Sequence, residues 1–140
     1  MQKLEFFIPL RRIPTTTAQE QRTGVRNGKP YRYDTAELKA VKLLFRDHLA
    51  RHAPPERMTG PVDLSVCWCF PASDKHPDLT WKTTKPDTDN MIKLLKDEMT
   101  KAGFWKDDAQ VCSELSTKIY SRVSGVAIAV QQLSKRIHDA

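Results

Sequence analysis

The stretch from Lys85 to Val111 reads KPDTDNMIKLLKDEMTKAGFWKDDAQV and decides how the rest of the chain is arranged. Two acidic clusters, Asp87/Asp89 and Asp107/Asp108, flank one amphipathic segment. Pro86 and the acid-rich start are helix-entry signals, and Gly103 is an exit signal. Between them Met91, Ile92, Leu94, Leu95, Met99 and Ala102 recur at helical spacing. Lys93, Lys96, Asp97, Thr100 and Lys101 take the opposite face. The spacing predicts a helix that packs on a core and carries an acidic pair at its N-terminal mouth.

In an extended lead-in, Asp87 and Asp89 point the same way. Lys93 falls one helical turn after Asp89. Helical side chains lean toward the N-terminus, so its ammonium reaches back toward those carboxylates. A chain reversal after Gly103 would return Asp107 and Asp108 to the first pair. Converging hard oxygen ligands suit Mg²⁺, with Mn²⁺ as an alternative. A lysine beside such a site stabilises charge developing on a phosphoryl oxygen. The plainer reading is structural. Asp is a good N-cap and first-turn residue, and Asp-Asp after a helix is an ordinary turn. Alone, D-x-D-N reads more readily as a cap than as a site.

The whole constellation is more specific. D-T-D-N-x-x-K followed by T-K-A-G-F-W-K-D-D-A-Q-V resembles the RusA family of Holliday-junction resolvases, whose active site follows D-x-D-N-x-x-K, a helix and G-x-x-x-D-D. The match runs unbroken from Pro86 to Val111. The resemblance implies metal-binding carboxylates at Asp87, Asp89 and Asp108, and a catalytic lysine at Lys93. Asp107 matches the preceding acid and is left without a role. Pro86 stands where some family members carry arginine, a charge that Lys82 or Lys85 would have to supply. The resemblance also implies a dimer, branched DNA as substrate, and a part in recombination or repair.

Length and charge agree with a nucleic-acid partner. A chain of 140 residues makes one domain, residues 1–140, with 29% charged and 39% apolar residues. The net charge of +6 favours a polyanion. Residues 1–60 hold 12 Lys/Arg against 6 Asp/Glu, and residues 61–140 hold 11 of each. The basic excess therefore lies in a different part of the chain from the acidic stretch, as expected when one region grips phosphates and another binds metal. Cys67, Cys69 and Cys112 show no zinc spacing and read as buried thiols of a reducing cytoplasm. No apolar run approaches ~18 residues and no signal peptide is recognisable, so a cytoplasmic protein away from the membrane is expected.

Leu4 to Ile8 reads as a first strand. Residues 9–33 form a long basic loop with Arg11, Arg12, Arg22, Arg26, Lys29 and Arg32 against Glu20. Asn27-Gly28 is a strong hairpin signal within it. Val25, Tyr31 and Tyr33 would flank a small basic ribbon, a flap whose arginines meet phosphates and whose tyrosines stack on bases. Asp34 or Thr35 caps a second helix running to about Arg51. His48 and His52, spaced i, i+4, have no third ligand nearby and read as surface histidines. Val62 to Phe70 alternates as a strand with Trp68 on its apolar face. Residues 71–85 form a polar loop with Lys75, His76, Lys82 and Lys85, feeding Asp87.

After Gly103, Phe104 and Trp105 pack on the core. Val111 to Ser121 and Val126 to Leu133 read as two strands of a hairpin joined at Ser124-Gly125. Glu114 reads as a solvent-facing strand residue. The tail, residues 134–140, is polar. The fold class is α/β: a small mixed sheet covered by helices on one face.

The function these residues support is a Mg²⁺-dependent endodeoxyribonuclease that resolves four-way junctions. Asp87, Asp89, Asp108 and Lys93 sit at its centre. Arg11, Arg12, Arg22, Arg26, Lys29, Arg32, Lys82 and Lys85 grip DNA. Two alternatives are a non-catalytic junction-binding module whose acids only cap a helix, and a metal-dependent nucleotide phosphohydrolase.

Overall fold

The alternating strand from Val62 takes the centre of the architecture. In the computed structural model, which describes residues 2–15 and 21–137, the elements in chain order are as follows. Strands β1 (Lys3–Pro9), β2 (Arg22–Arg26) and β3 (Lys29–Tyr33) precede helix α1 (Ala36–Ala50). Then come β4 (Val62–Pro71), the short β5 (Thr80–Trp81), helix α2 (Thr88–Ala102), β6 (Val111–Ser121) and β7 (Gly125–Gln132). A 3-10 turn, Asp108–Gln110, leads into β6. Five strands form one sheet in the order β1-β7-β4-β6-β5, and β2 and β3 form a separate hairpin about Asn27-Gly28. The family of architectures expected, a mixed sheet with helices, is the one observed.

The expected hairpin between the last two strands is not formed. β4 lies between them, parallel to β6 and antiparallel to β7. The single helix α2 between β4 and β6 explains the parallel pair, because a helical crossover returns the chain to the same end of the sheet. β4 also buries Val62, Leu64, Val66 and Trp68 on one face, and such a strand is stable with partners on both edges. Residues 122–124 carry the chain past β4 to β7. Gly125 serves a close approach there. Its φ is 151°, and a Cβ at this position would collide with the Ile8 carbonyl oxygen and the Phe7 ring of β1.

Both helices cover one face of the sheet. Leu38, Phe45 and Leu49 of α1 and Met91, Ile92, Leu94, Leu95 and Met99 of α2 join the strand residues in one core. Phe45 meets Trp68 edge-on at 6.3 Å, and the Trp68 indole N–H donates to Ser116 Oγ at 3.1 Å. Thr35 is the cap of α1, with Oγ1 accepting from the Leu38 N–H at 3.2 Å. Asp34 instead binds Lys42 at 2.7 Å and Gln21 at 2.8 Å, and these bonds hold its carboxyl below the usual carboxylate range. Glu98 of α2 is fully buried. Arg46 of α1 reaches it with two nitrogens at 3.2 and 3.3 Å, and Lys101 adds a third donor at 3.4 Å.

Three smaller expectations are corrected. Cys69 is buried and its thiol is pushed up to about 12 by burial and by neighbouring Cys67, but Cys67 is only half-buried and Cys112 is exposed. His52 is not a free surface group, because its ring stacks on Phe6 at 4.3 Å. The 71–85 loop contains an edge strand, β5, that pairs with Ile119 and Tyr120. Residues 16–20, including Glu20 of the basic loop, and residues 138–140 of the tail lie outside the described residues. Among the described residues no helix is long and apolar enough to cross a membrane.

Candidate active site

α2 is built as its sequence demands. Its apolar stripe is buried, and Gly103 ends it in the left-handed conformation, φ 92°, with its N–H returned to the Met99 and Thr100 carbonyls. Phe104 and Trp105 are fully buried, and the Trp105 indole donates to Thr100 Oγ1 at 2.7 Å. This packing reverses the chain after α2 and sends residues 106–110 back alongside it.

Asp87 is the N-cap residue of α2 by backbone position, yet its side chain makes no capping hydrogen bond. A cap normally accepts from the N2 or N3 amide. Asp89 sits in the first turn of the helix and, like Asp87, is exposed. Neither carboxylate has a hydrogen-bond or ion-pair partner among the described residues. Lys93, one turn on, is exposed and equally unpaired among them.

Asp107 and Asp108 divide their work. The Asp107 carboxylate accepts from the Ala109 N–H at 2.9 Å, so it caps the 3-10 turn. Gln110 completes a capping box, accepting from the Lys106 and Asp107 N–H groups at 3.0 Å each. Its amide nitrogen donates to the Met58 and Gly60 carbonyls at 2.9 and 3.0 Å, tying the turn to the start of β4. Asp108, half-buried, is left without a partner among the described residues.

Asp97 is the neighbour that the sequence pattern does not single out. Burial raises its carboxyl above the usual range, and the negative charge of Asp108 raises it further, against the pull of Lys93, Lys101 and Lys42. Asp108 therefore returns alongside α2, within electrostatic reach of Asp97. Asp97 is eight residues beyond Asp89, roughly 12 Å further along the axis. Lys93 stands between them, four residues from each. The i, i+4, i+8 spacing of Asp89, Lys93 and Asp97 is the signal that could have found it. Among the described residues no three carboxylate, imidazole or thiol groups stand close enough to enclose a metal ion. The donor chemistry nevertheless fits Mg²⁺, which takes one or two carboxylates and fills its other positions with water and phosphate oxygens. Glu114 is exposed and paired with Lys96 at 2.8 Å.

The basic residues fall in three places. Arg11 and Arg12 follow β1 and are exposed. Arg22 and Arg26 on β2 and Lys29 and Arg32 on β3 are exposed on the hairpin, with Arg26 over the Tyr31 ring at 5.0 Å. Lys82 turns inward: it donates to Thr84 Oγ1 at 2.8 Å and to the Tyr120 hydroxyl at 3.3 Å. Lys85, two residues before Asp87, is exposed. The foot of the hairpin and the acidic face of α2 share electrostatic neighbours, since Lys42 and Lys101 act on both Asp34 and Asp97.

A family model described as endodeoxyribonuclease RusA matches residues 14–131. The crossover junction endodeoxyribonuclease RusA of Lactococcus phage r1t is 30% identical over 135 residues, 94% of this chain and 99% of its own. YqaN of Bacillus subtilis (strain 168), an uncharacterized protein, is 32% identical over 124 residues, 81% of this chain and 87% of its own. Free carboxylates at the mouth of α2, a returning acidic turn and a basic hairpin agree with these matches. The chain belongs to the RusA family of endodeoxyribonucleases.

Proposed function

We propose that this protein resolves four-way DNA junctions by Mg²⁺-dependent hydrolysis of paired phosphodiesters, in DNA recombination or repair. The observation that carries the reading is Asp87, which occupies a cap position and does not cap. An acid kept for the helix would spend its oxygens on the first-turn amides. Asp87 and Asp89 would hold Mg²⁺ with Asp108 as the third carboxylate. A bound Mg²⁺ neutralises phosphate charge and makes a water more acidic. Lys93 stabilises the negative charge that grows on the phosphoryl oxygens as water adds to phosphorus and the sugar oxygen leaves. Asp107 is reserved for the turn and takes no part.

Lys93→Ala should slow junction cleavage tenfold or more, about 1.4 kcal/mol of transition-state stabilisation, with an unchanged melting temperature. Lys93 is exposed, so its removal takes away no core packing. Single-turnover rates at wild-type level would assign it to solvent instead.

The hairpin and the arginines after β1 supply sequence-independent grip, with Lys85 beside the site and Lys82 adding to the local field. Replacing Arg22, Arg26 and Lys29 together by Ala should weaken junction binding. Every phosphate that is no longer neutralised should also lower the log–log salt slope by about 0.9. Fluorescence anisotropy across a salt series measures both, and an unaltered slope would leave the hairpin outside the interface.

A junction has two-fold symmetry and needs two opposed nicks, whereas one chain carries one acidic set. The active unit in this reading is a symmetric homodimer. The apolar faces of β4 and β7 are consumed by the core and offer no interface. The opposite face of the sheet is not covered by the helices. Phe7, Ser65, Cys67, Leu115, Thr117, Ala127 and Ala129 line a groove there of about 500 Å³, and Leu115 is 58% exposed. Two such faces would pack as a sandwich of sheets. On a supercoiled cruciform plasmid the dimer should give linear product within one binding event. Accumulation of nicked circles alone would contradict paired resolution.

A further inference from the structure

We propose that Lys118 is a positioning residue that holds the first two carboxylates of the site in register, an inference that rests on the metal-binding role given above to Asp87 and Asp89. Lys118 lies on β6, far from Asp87 in the chain. Its ammonium donates to the Thr84 carbonyl at 2.6 Å and to the Pro86 carbonyl at 2.7 Å. Its own carbonyl accepts from the Lys82 N–H at 3.1 Å. One residue thus grips the lead-in to the acids at three points.

The need for this grip follows from the sequence. β5 ends at Trp81, and the segment beyond it leaves the sheet before α2 begins. Pro86 has no N–H and cannot extend the ladder. The Thr84 and Pro86 carbonyls therefore have no partner in the sheet ladder and are open to a donor from elsewhere, and a charged donor makes the stronger bond. The Pro86 carbonyl belongs to the peptide unit that carries the Asp87 nitrogen. Fixing that plane limits where the Asp87 side chain can point. Asp89 follows it at once on α2.

β6 serves as a common frame for both halves of the site. Successive residues on its helix-facing side bind the surrounding parts: Glu114 to Lys96 of α2, Ser116 to the Trp68 indole, Lys118 to the lead-in and Tyr120 to Lys82. Their period of two is that of one strand face. The Asp108 turn runs directly into the same strand. Lys118 therefore ties Asp87 and Asp89 to the element that delivers Asp108.

The test uses the full chain as wild type, Lys118→Met and Lys118→Arg. Hydrogen exchange of residues 83–90, Mn²⁺ affinity by calorimetry and single-turnover junction cleavage across a Mn²⁺ series are the readouts. Lys118→Met should speed exchange in residues 83–90 while β7 and α1 exchange as in wild type, which shows that the fold is retained. Its Mn²⁺ affinity should fall about tenfold or more, the range for groups that orient metal ligands, and excess Mn²⁺ should restore its cleavage rate. Lys118→Arg, which keeps a charged donor, should recover most of the affinity. Unchanged exchange and affinity in Lys118→Met would overturn the proposal. So would a cleavage defect that persists at saturating Mn²⁺ with weakened junction binding, which would make Lys118 a DNA contact. If wild type itself does not bind Mn²⁺, the metal reading fails, and the exchange result alone then decides whether Lys118 orders the lead-in.

Discussion

Asp87→Asn and Asp89→Asn should each reduce junction cleavage by on the order of a thousandfold, about 4 kcal/mol of barrier, while binding junction DNA as well as wild type or better. The two effects have one cause. Both carboxylates are exposed and, among the described residues, spend no oxygen on the protein, so neither contributes a bond whose removal would unfold α2. Converting one to an amide removes charge from a cation site and also removes repulsion toward incoming phosphates. Asn is as good a helix cap as Asp, so the helix start is preserved. The check is a paired measurement: cleavage rate under single turnover, and junction affinity by gel shift in Ca²⁺ or EDTA. A variant that cuts at near wild-type rate with Mg²⁺ would remove the residue from the site. A variant that loses binding and melting temperature together would show a structural role.

Arg46→Met should cost about 3 kcal/mol of stability, the low end for stranding a buried charge, because Glu98 is fully buried even though Arg46 itself is partly exposed. Glu98 has no exposed surface, and two of its three hydrogen bonds come from Arg46. Met would keep most of the aliphatic stem, so the measured change would report mainly on the carboxylate left with Lys101 alone. The pair joins α1 to α2, and α2 carries Asp89 and Lys93. Thermal and urea unfolding should show the destabilisation directly. At temperatures well below melting the folded variant should still cleave, because Arg46 is not among the residues placed at the phosphate. The double variant Arg46→Met/Glu98→Leu should recover much of the stability, since a packed apolar pair leaves no charge stranded. An Arg46→Met protein as stable as wild type would mean that Lys101 and solvent satisfy Glu98 unaided.

The parts of this molecule that are legible in its sequence are those governed by local periodicity. α2 is readable from Pro86, the spacing of Met91, Leu94, Leu95 and Met99, and Gly103. β4 is readable from strict alternation and the β2–β3 hairpin from Asn27-Gly28. Pairing between distant strands is not. Ser124-Gly125 looks like a hairpin turn, but the glycine answers a collision with Ile8 and Phe7 of β1, near the other end of the chain. No local pattern encodes that contact. The site divides in the same way. Asp87, Asp89, Lys93 and Asp108 are visible as a motif within one contiguous stretch. The different duties of Asp107 and Asp108 depend on one hydrogen bond to Ala109, and a sequence of two identical residues cannot separate them. Asp97 is hidden because helical charge facing solvent is ordinary, and only tertiary packing, which half-buries it and returns Asp108 toward it, marks it out. Lys118 is hidden because its partners are main-chain carbonyls, which every residue has.

Metal-dependent cleavage of branched DNA, the role proposed for the free carboxylates at the mouth of α2, stands on one reaction. The most direct test is a synthetic four-way junction, end-labelled on each strand, incubated with the protein in Mg²⁺ or in EDTA, with the product ends mapped. Symmetric nicks in two opposed strands near the crossover are expected in Mg²⁺ only, with little cutting of a linear duplex of the same sequence. Equal cutting in EDTA, or equal cutting of the linear duplex, would contradict metal-dependent junction resolution.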